Sequence, residues 1–381
     1  MAQSSRAGLL WDDSGICTKP IWEYEPKVED IVRIFLRLGF ALNRNQLQVS
    51  VLGQGAINKA YLVQIRKAGN ETVLVMRLSL PIDPGNKTRG EVATLQWLRR
   101  YTTLPVPEVI RYTASPDDDL GFEWIIMSHV PGQPAFIKWR KMSMCQKKRL
   151  VEQIASYQHE ITARLFETIG TLQLTDIIVM DFEQAIDEED LDKVERFLVE
   201  GYLGITKRLR ELIPTLFSDT TRERTVLWHH DLSLTNMIIG GDYNLNGIVD
   251  WECVSTVPFW AATGPPSFLR GRDRHEAPDS ERYYHGDVPP VDKWGRDNDG
   301  RSTKYWDDLM DYEMTVLRAH YDSCRRHHDR GWKKDLTKEE KLKYDFLDAI
   351  NLCRAQDFGS AVDGWLDELE DGKIIPLEYS D

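Results

Sequence analysis

Residues 226 to 239, VLWHHDLSLTNMII, set His229, His230, Asp231 and Asn236 between two apolar runs. A packed interior does not need such groups, because buried polar atoms cost stability unless they are paired. The segment is therefore a solvated turn or a site. Asp231 and Asn236, five residues apart, put a carboxylate and a carboxamide on one loop. The carboxylate can accept a proton from a hydroxyl or orient it, and the carboxamide oxygen can ligate a hard cation. His229 reads better as an interior histidine that holds the loop by hydrogen bonds than as an acid or base. Downstream, NGIVDWE ends an apolar strand at Asp250, and MII with GIV reads as a hairpin through Gly240, Gly241 and Asp242. That hairpin would deliver Asp250 beside Asn236. A carboxylate and a carboxamide converging from two strands suit Mg²⁺, which takes oxygen ligands and keeps company with phosphates.

Two upstream features could serve phosphates. LGQGAINKAY is glycine-rich between two strands, and Gly53 and Gly55 lack a Cβ, so the backbone there can close over an anion. Alone, the stretch reads more readily as a hairpin turn. It lacks the G-K-[ST] ending of a Walker loop, and no helix follows as a dinucleotide fingerprint requires. Arg77 is a single cation in the apolar strand TVLVMRLSL, on the face of Val73 and Val75, and Glu91 lies in the following helix. A strand cation paired with a helix carboxylate can hold nucleotide phosphates in place; an edge-strand arginine is an equal reading of this pair taken by itself.

The elements that must position these groups follow from periodicity. VEDIVRIFLRL, 28 to 38, has a helical period. QLQVSVL, KAYLVQI and TVLVMRLSL read as strands, a helix spans roughly 88 to 101, and PEVIRYTAS and FEWIIMSHV form two more strands around the acidic turn 117–119. VPGQP, 130 to 134, reads as a linker. Helices are expected over roughly 144–168, 183–213, 304–328 and 336–357, and residues 262–304 as a long surface excursion. The order predicts an α+β, two-lobed molecule: residues 1–44 as an extension with a helix, 45–130 as a small sheet-rich lobe, and 131–381 as a larger helical lobe carrying the loop.

The 381 residues carry a formal net charge of −13, which argues against nucleic acid or an anionic membrane as partner. A phosphate ligand must then be held by local donors against the global field. No apolar run has the length of a membrane span, and the N-terminus lacks a signal-peptide core. Five scattered cysteines, none in a C-x-x-C pair, suggest neither a disulfide framework nor a zinc site and fit a reducing, cytoplasmic setting.

Taken together, G-x-G, the strand cation Arg77, the helix carboxylate Glu91, H-x-D-x-x-x-x-N and a later Asp resemble the protein-kinase-like fold. Within it the chain resembles the aminoglycoside phosphotransferase family, particularly its fungal members of unassigned substrate, over roughly residues 45 to 330. The resemblance implies that Asp231 is the catalytic base and that Asn236 and Asp250 ligate Mg²⁺. It implies that Gly53 to Asn58 cover the phosphates of ATP, and that backbone groups of Ser128, His129 and Val130 hold adenine. The strand cation is Arg77 where kinases usually carry lysine, and His230 stands where many relatives have glycine. Two near-matches are set aside: His285-Gly286-Asp287 has Asp292 five beyond and no apolar strand, and EAPD at 276–279 only resembles the A-P-E of protein kinases. Ser233, two residues after Asp231 where protein kinases place lysine, favours a small-molecule acceptor. The expected activity is ATP-dependent transfer of the γ-phosphoryl group to a hydroxyl or amine, with Glu252, Phe259 and Trp260 near the acceptor. The alternatives are a nucleotide-binding protein of poor catalytic power and an enzyme of another ATP-dependent transfer, such as adenylation or ligation.

Overall fold

The computed structural model of the chain describes residues 6–12, 18–67, 69–116, 120–166, 193–217, 224–252, 254–283, 288–329, 336–354 and 359–377. A hairpin of β1 (Leu9–Asp12) and β2 (Lys19–Trp22) precedes helix α1 (Val28–Arg37). The strands β3 (Leu47–Gln54), β4 (Asn58–Lys67) and β5 (Asn70–Ser79) follow as a meander, then α2 (Asn86–Tyr101), β6 (Val109–Thr113) and β7 (Glu123–Ser128). They form one antiparallel sheet in the order β3-β4-β5-β7-β6. Its two faces differ because successive side chains point to opposite sides. Tyr61, Val63, Met76, Leu78 and Ile126 meet the buried stripe of α1, Ile31, Val32, Ile34 and Phe35. Val75, Ile125 and Met127 meet Val92 of α2 on the other face, and Arg77 belongs to that second set. Residues 28–37 are thus part of the small lobe's core rather than an extension from it.

The segment read as a linker, 130–134, contains a short strand, β8 (Gln133–Pro134), before α3 (Ala135–Lys138). α4 (Met144–Thr162) starts with a capping box in which Ser143 accepts from the Gln146 N–H. α5 (Lys193–Leu216) leads to β9 (Thr225–His229), β10 (Met237–Ile239), β11 (Leu245–Ile248) and β12 (Val254–Pro258). β10 pairs with β11 on one side and β8 on the other, while β9 pairs with β12. α6 (Thr303–His328), α7 (Lys338–Arg354) and α8 (Gly359–Glu370) complete the chain. The central core of this lobe joins α4, α6 and the β10–β11 hairpin around Trp139, Leu150, Met237, Ile248 and Leu317. A further core joins α5, α7 and α8 through Leu209, Phe346, Ile350 and Trp365.

At Gly132 the backbone takes φ 132°, and a Cβ there would stand 2.4 Å from the Ile239 carbonyl oxygen. Glycine is what lets the connection between lobes lie against β10. The excursion read at 262–304 is partly interior: Ala262, Thr263, Phe268 and Leu269 are buried, and Phe268 N–H donates to Leu232 O at 3.0 Å. β1, β2, β12 and α8 were not expected from the sequence. The acidic turn 117–119, residues 183–192 of an expected helix and the tripeptide 285–287 lie outside the described residues. Among the described residues no helix is long and apolar enough to cross a membrane.

Candidate active site

β9 ends at His229, and the loop after it is tied back to that residue. Asp231 N–H donates to His229 Nδ1 at 3.2 Å, which requires an unprotonated Nδ1 and leaves the proton on Nε2. The imidazole is buried, with its ring 4.8 Å from that of Trp251. Burial, and then His230, push its pKa from 6.5 to about 3, so it stays neutral. His229 is a loop anchor. Asn236 closes the loop from the other end: its Nδ2 donates to Asp231 O at 2.8 Å and to Asp231 Oδ2 at 3.3 Å. With the nitrogen so engaged, the carboxamide oxygen is the atom left to act as a ligand.

The β10–β11 hairpin pairs Met237 with Ile248, and Val249 N–H donates to Asn236 O at 2.9 Å. Asp250 follows at φ 66°, a left-handed conformation that most side chains avoid and Asp tolerates better. Trp251 turns inward and donates to Ile248 O at 2.9 Å. The hairpin thereby sets Asp250 and Glu252 towards the sheet of the small lobe.

From that sheet, Arg77 forms a buried ion pair with Glu91 of α2. Its Nη1 also reaches Asp250 Oδ1 at 3.3 Å and Glu252 Oε2 at 3.7 Å. Lys87, in the first turn of α2, was not singled out in the sequence, yet it completes the cluster. Its Nζ donates to Glu252 Oε2 at 2.7 Å, Asn58 Oδ1 at 2.7 Å and Ser79 Oγ at 3.0 Å. Asn58 Nδ2 also donates to Glu252 Oε2, at 2.6 Å. The local signal for Lys87 is weak: one lysine just after the strand that carries Arg77.

Charge is crowded here. Burial, and then the Arg77 guanidinium, lower the Lys87 pKa. Burial opposes ionisation of Glu252, but Lys87 and Arg77 hold its pKa below the usual value. For Asp250, burial and then Glu252 raise the pKa, with Asp231 adding to the push. Partial burial raises that of Asp231 as well, although the side chain remains solvent-accessible; the Asn236 hydrogen bond opposes, and Glu252 adds to the rise. An Asn oxygen and carboxylates that repel one another make a donor set that fits a hard divalent cation.

A cavity of about 530 Å³ lies between the lobes. Gly53, Gly55 and Asn58 line it from above, with Arg77 and Glu91 behind. Ser128, His129 and Val130 line the connection, and Asn236, Asp250 and Glu252 the lower wall. A Cβ on Gly53 would meet nothing within 4 Å, and one on Gly55 only the Asn58 carbonyl oxygen at 3.9 Å. The protein's own packing does not demand these glycines. Ser128 N–H is already bonded to Glu108 O at 2.9 Å. Asp231 is exposed and joined to the cavity wall through Asn236. Phe259 and Trp260, expected near an acceptor, do not line this cavity. Trp260 is buried with its ring 6.3 Å from that of Phe217, and Phe259 packs on Val226, Trp228 and Ala262, because the turn after β12 folds into the core. Glu252 faces Arg77, Lys87 and Asn58 of the small lobe.

The sequence pattern of the phosphotransferase enzyme family matches residues 48–261. A subtelomeric hrmA-associated cluster protein of Aspergillus fumigatus is 31% identical over 129 residues, 33% of this chain and 25% of that protein. Clavilactone A biosynthesis cluster protein Y of Ampulloclitocybe clavipes is 24% identical over 230 residues, 50% of this chain and 55% of that one. The chain thus spans a quarter to about half the length of these curated relatives. Among solved structures, choline kinase from Cryptosporidium parvum Iowa II superposes with a TM-score of 0.51 at 14% identity, covering 92% of this chain and 98% of that one. That likeness establishes a kinase-like fold.

Proposed function

The chain belongs to the phosphotransferase enzyme family, and from that premise we propose that it transfers the γ-phosphoryl group of ATP to a hydroxyl, or an amine, of a small molecule. The observation that supports this reading is a cavity lined by Asn236 and Asp250 on one side and by the Arg77–Glu91 pair on the other, with Asp231 hydrogen-bonded to Asn236 beside it. A protein that only bound a nucleotide would have no use for an exposed carboxylate fixed at both ends of its loop.

In this reading Asp231 Oδ accepts the acceptor's proton as its oxygen bonds to phosphorus and the bond to the ADP oxygen breaks. His229 and Asn236 keep Asp231 in place. The backbone of Gly53 to Asn58 covers the phosphates, Arg77 and Lys87 supply positive charge, and the main chain of His129 and Val130 meets the base. Asn236 and Asp250 would hold Mg²⁺, which when bound neutralises phosphate charge. Catalysis is then mostly positioning and charge compensation.

The test is mass spectrometry of a metabolite extract incubated with ATP, Mg²⁺ and protein, read for a compound heavier by one phosphate and for ADP as the nucleotide product. AMP in place of ADP would assign an adenylation or ligation. Asp231→Asn is expected to lower turnover by about 10²–10⁴-fold with nucleotide affinity kept within a few-fold. Turnover near that of the unaltered protein would remove Asp231 from the reaction.

A further inference from the structure

Away from the cleft, α4 and α6 bring together an imidazole, a thiol and a carboxylate. His320 and Cys324 stand one turn apart on α6, and Glu152 faces them from α4. His320 Nε2 lies 2.9 Å from Glu152 Oε1 and 3.8 Å from Cys324 Sγ, and the three ligand atoms all lie within 4.8 Å of one another. We propose that Glu152, His320 and Cys324 form a site for a borderline-soft divalent cation, zinc by its chemistry, with water in the fourth position.

The distances support it. Zinc bonds of about 2.0–2.3 Å in tetrahedral geometry separate ligand atoms by about 3.3–3.6 Å. The imidazole and carboxylate would part by a few tenths of an ångström, and the imidazole and thiolate would close by a similar amount. Glu152 is exposed, with the freedom to make that adjustment. The two α6 ligands are held firmly. Each is followed by a residue that locks α6 onto α4: Tyr321 OH donates to Gln158 Oε1 at 2.7 Å, and Arg325 donates to Ala155 O at 3.2 Å and Thr162 Oγ1 at 3.0 Å. Ligands mounted on rigid helices are what a pre-formed metal site requires.

The ligand set also separates this site from the cleft. One sulfur and one nitrogen suit zinc or cobalt, whereas the oxygen donors of Asn236 and Asp250 suit Mg²⁺. The readings left by a plain surface cluster are an imidazole–carboxylate pair and a thiol beside it, neither of which binds metal stoichiometrically.

The test uses untagged full-length protein with Mg²⁺ present throughout. Equilibrium dialysis against Zn²⁺ is expected to give one saturable equivalent. Co²⁺ in its place is expected to give a tetrahedral visible spectrum with a thiolate charge-transfer band. Cys324→Ser should abolish that band, and His320→Ala and Glu152→Ala should weaken binding by about tenfold or more. Glu152→Ala, on the helix surface, keeps the test decisive if an α6 variant folds poorly. Absence of saturable binding, a thiolate band that survives Cys324→Ser, or affinity unchanged in Glu152→Ala and His320→Ala would overturn the site.

Discussion

Arg77 has carboxylate partners that a lysine could not serve in the same way. Its guanidinium pairs with Glu91 and still reaches Asp250, a planar fork spanning two carboxylates. Arg77→Ala is therefore expected to raise the KM for ATP and lower kcat together, since contacts present before and during transfer are both lost. Arg77→Lys should recover part of the loss. Glu91→Ala should resemble a milder Arg77→Ala, and the double variant should be less than additive in steady-state kinetics. Unchanged constants in folded Arg77→Ala would reduce the residue to a sheet charge. A second expectation concerns His229, whose pKa drops from 6.5 to about 3 on folding through burial first and His230 second. The folded state keeps the neutral ring, so this contribution to stability is complete above pH 6.5 and is lost as pH falls towards 3. His229→Gln should narrow the difference in urea-unfolding free energy between pH 7 and pH 5; an unchanged difference would place the acid sensitivity elsewhere. The types and spacing of Asp231, Asn236, Asp250, Arg77 and Glu91 were readable because each sits at a fixed offset within its own segment. Lys87 was not, because its role arises only when the start of α2 folds over Asn58 and meets Glu252 from the far lobe.

Among the elements, the long periodic ones were legible and the short ones were not. The stripe of α1 and the alternation in β4 and β5 are properties of consecutive residues. β8 has two residues and exists because β10 offers it an edge, so nothing local announces it. β12 owes its form to pairing with β9, and Trp260 follows it into the core, where an aromatic residue beside a catalytic loop had suggested a substrate wall. Gly132 is the element-level feature open to a direct test. Its φ of 132° and the 2.4 Å approach to Ile239 O leave no room for a methyl group. Gly132→Ala should destabilise the protein by about 1–3 kcal/mol in chemical denaturation, since both backbone strain and the β8–β10 pairing are affected. A variant as stable as the parent would mean that this connection moves freely away from β10.

At the scale of the whole molecule, the lobes meet through polar bonds across the cleft as well as through their covalent connection. Glu252 on one side binds Asn58 and Lys87 on the other, and Asp250 meets Arg77. Glu252→Ala should loosen this latch, increasing the radius of gyration in small-angle scattering without nucleotide; an unchanged radius would assign closure to the covalent connection and its packing. The two-lobed order was legible in the sequence as strands followed by helices, but the latch depends on residues 194 positions apart and had no local trace. It also alters what nucleotide entry means. Arg77 and Lys87 already have resident anions, so phosphates arriving as proposed would not fill a bare positive pocket; they would evict tenants. Salt weakens the outgoing partnership along with the incoming one, and nucleotide affinity should depend only weakly on ionic strength. A lone sulfate or phosphate brings nothing to settle the displaced carboxylates, whereas a nucleotide arriving with its own cation does. If the proposed phosphotransfer holds, the cleft would select a metal-escorted anion before any base or acceptor is read.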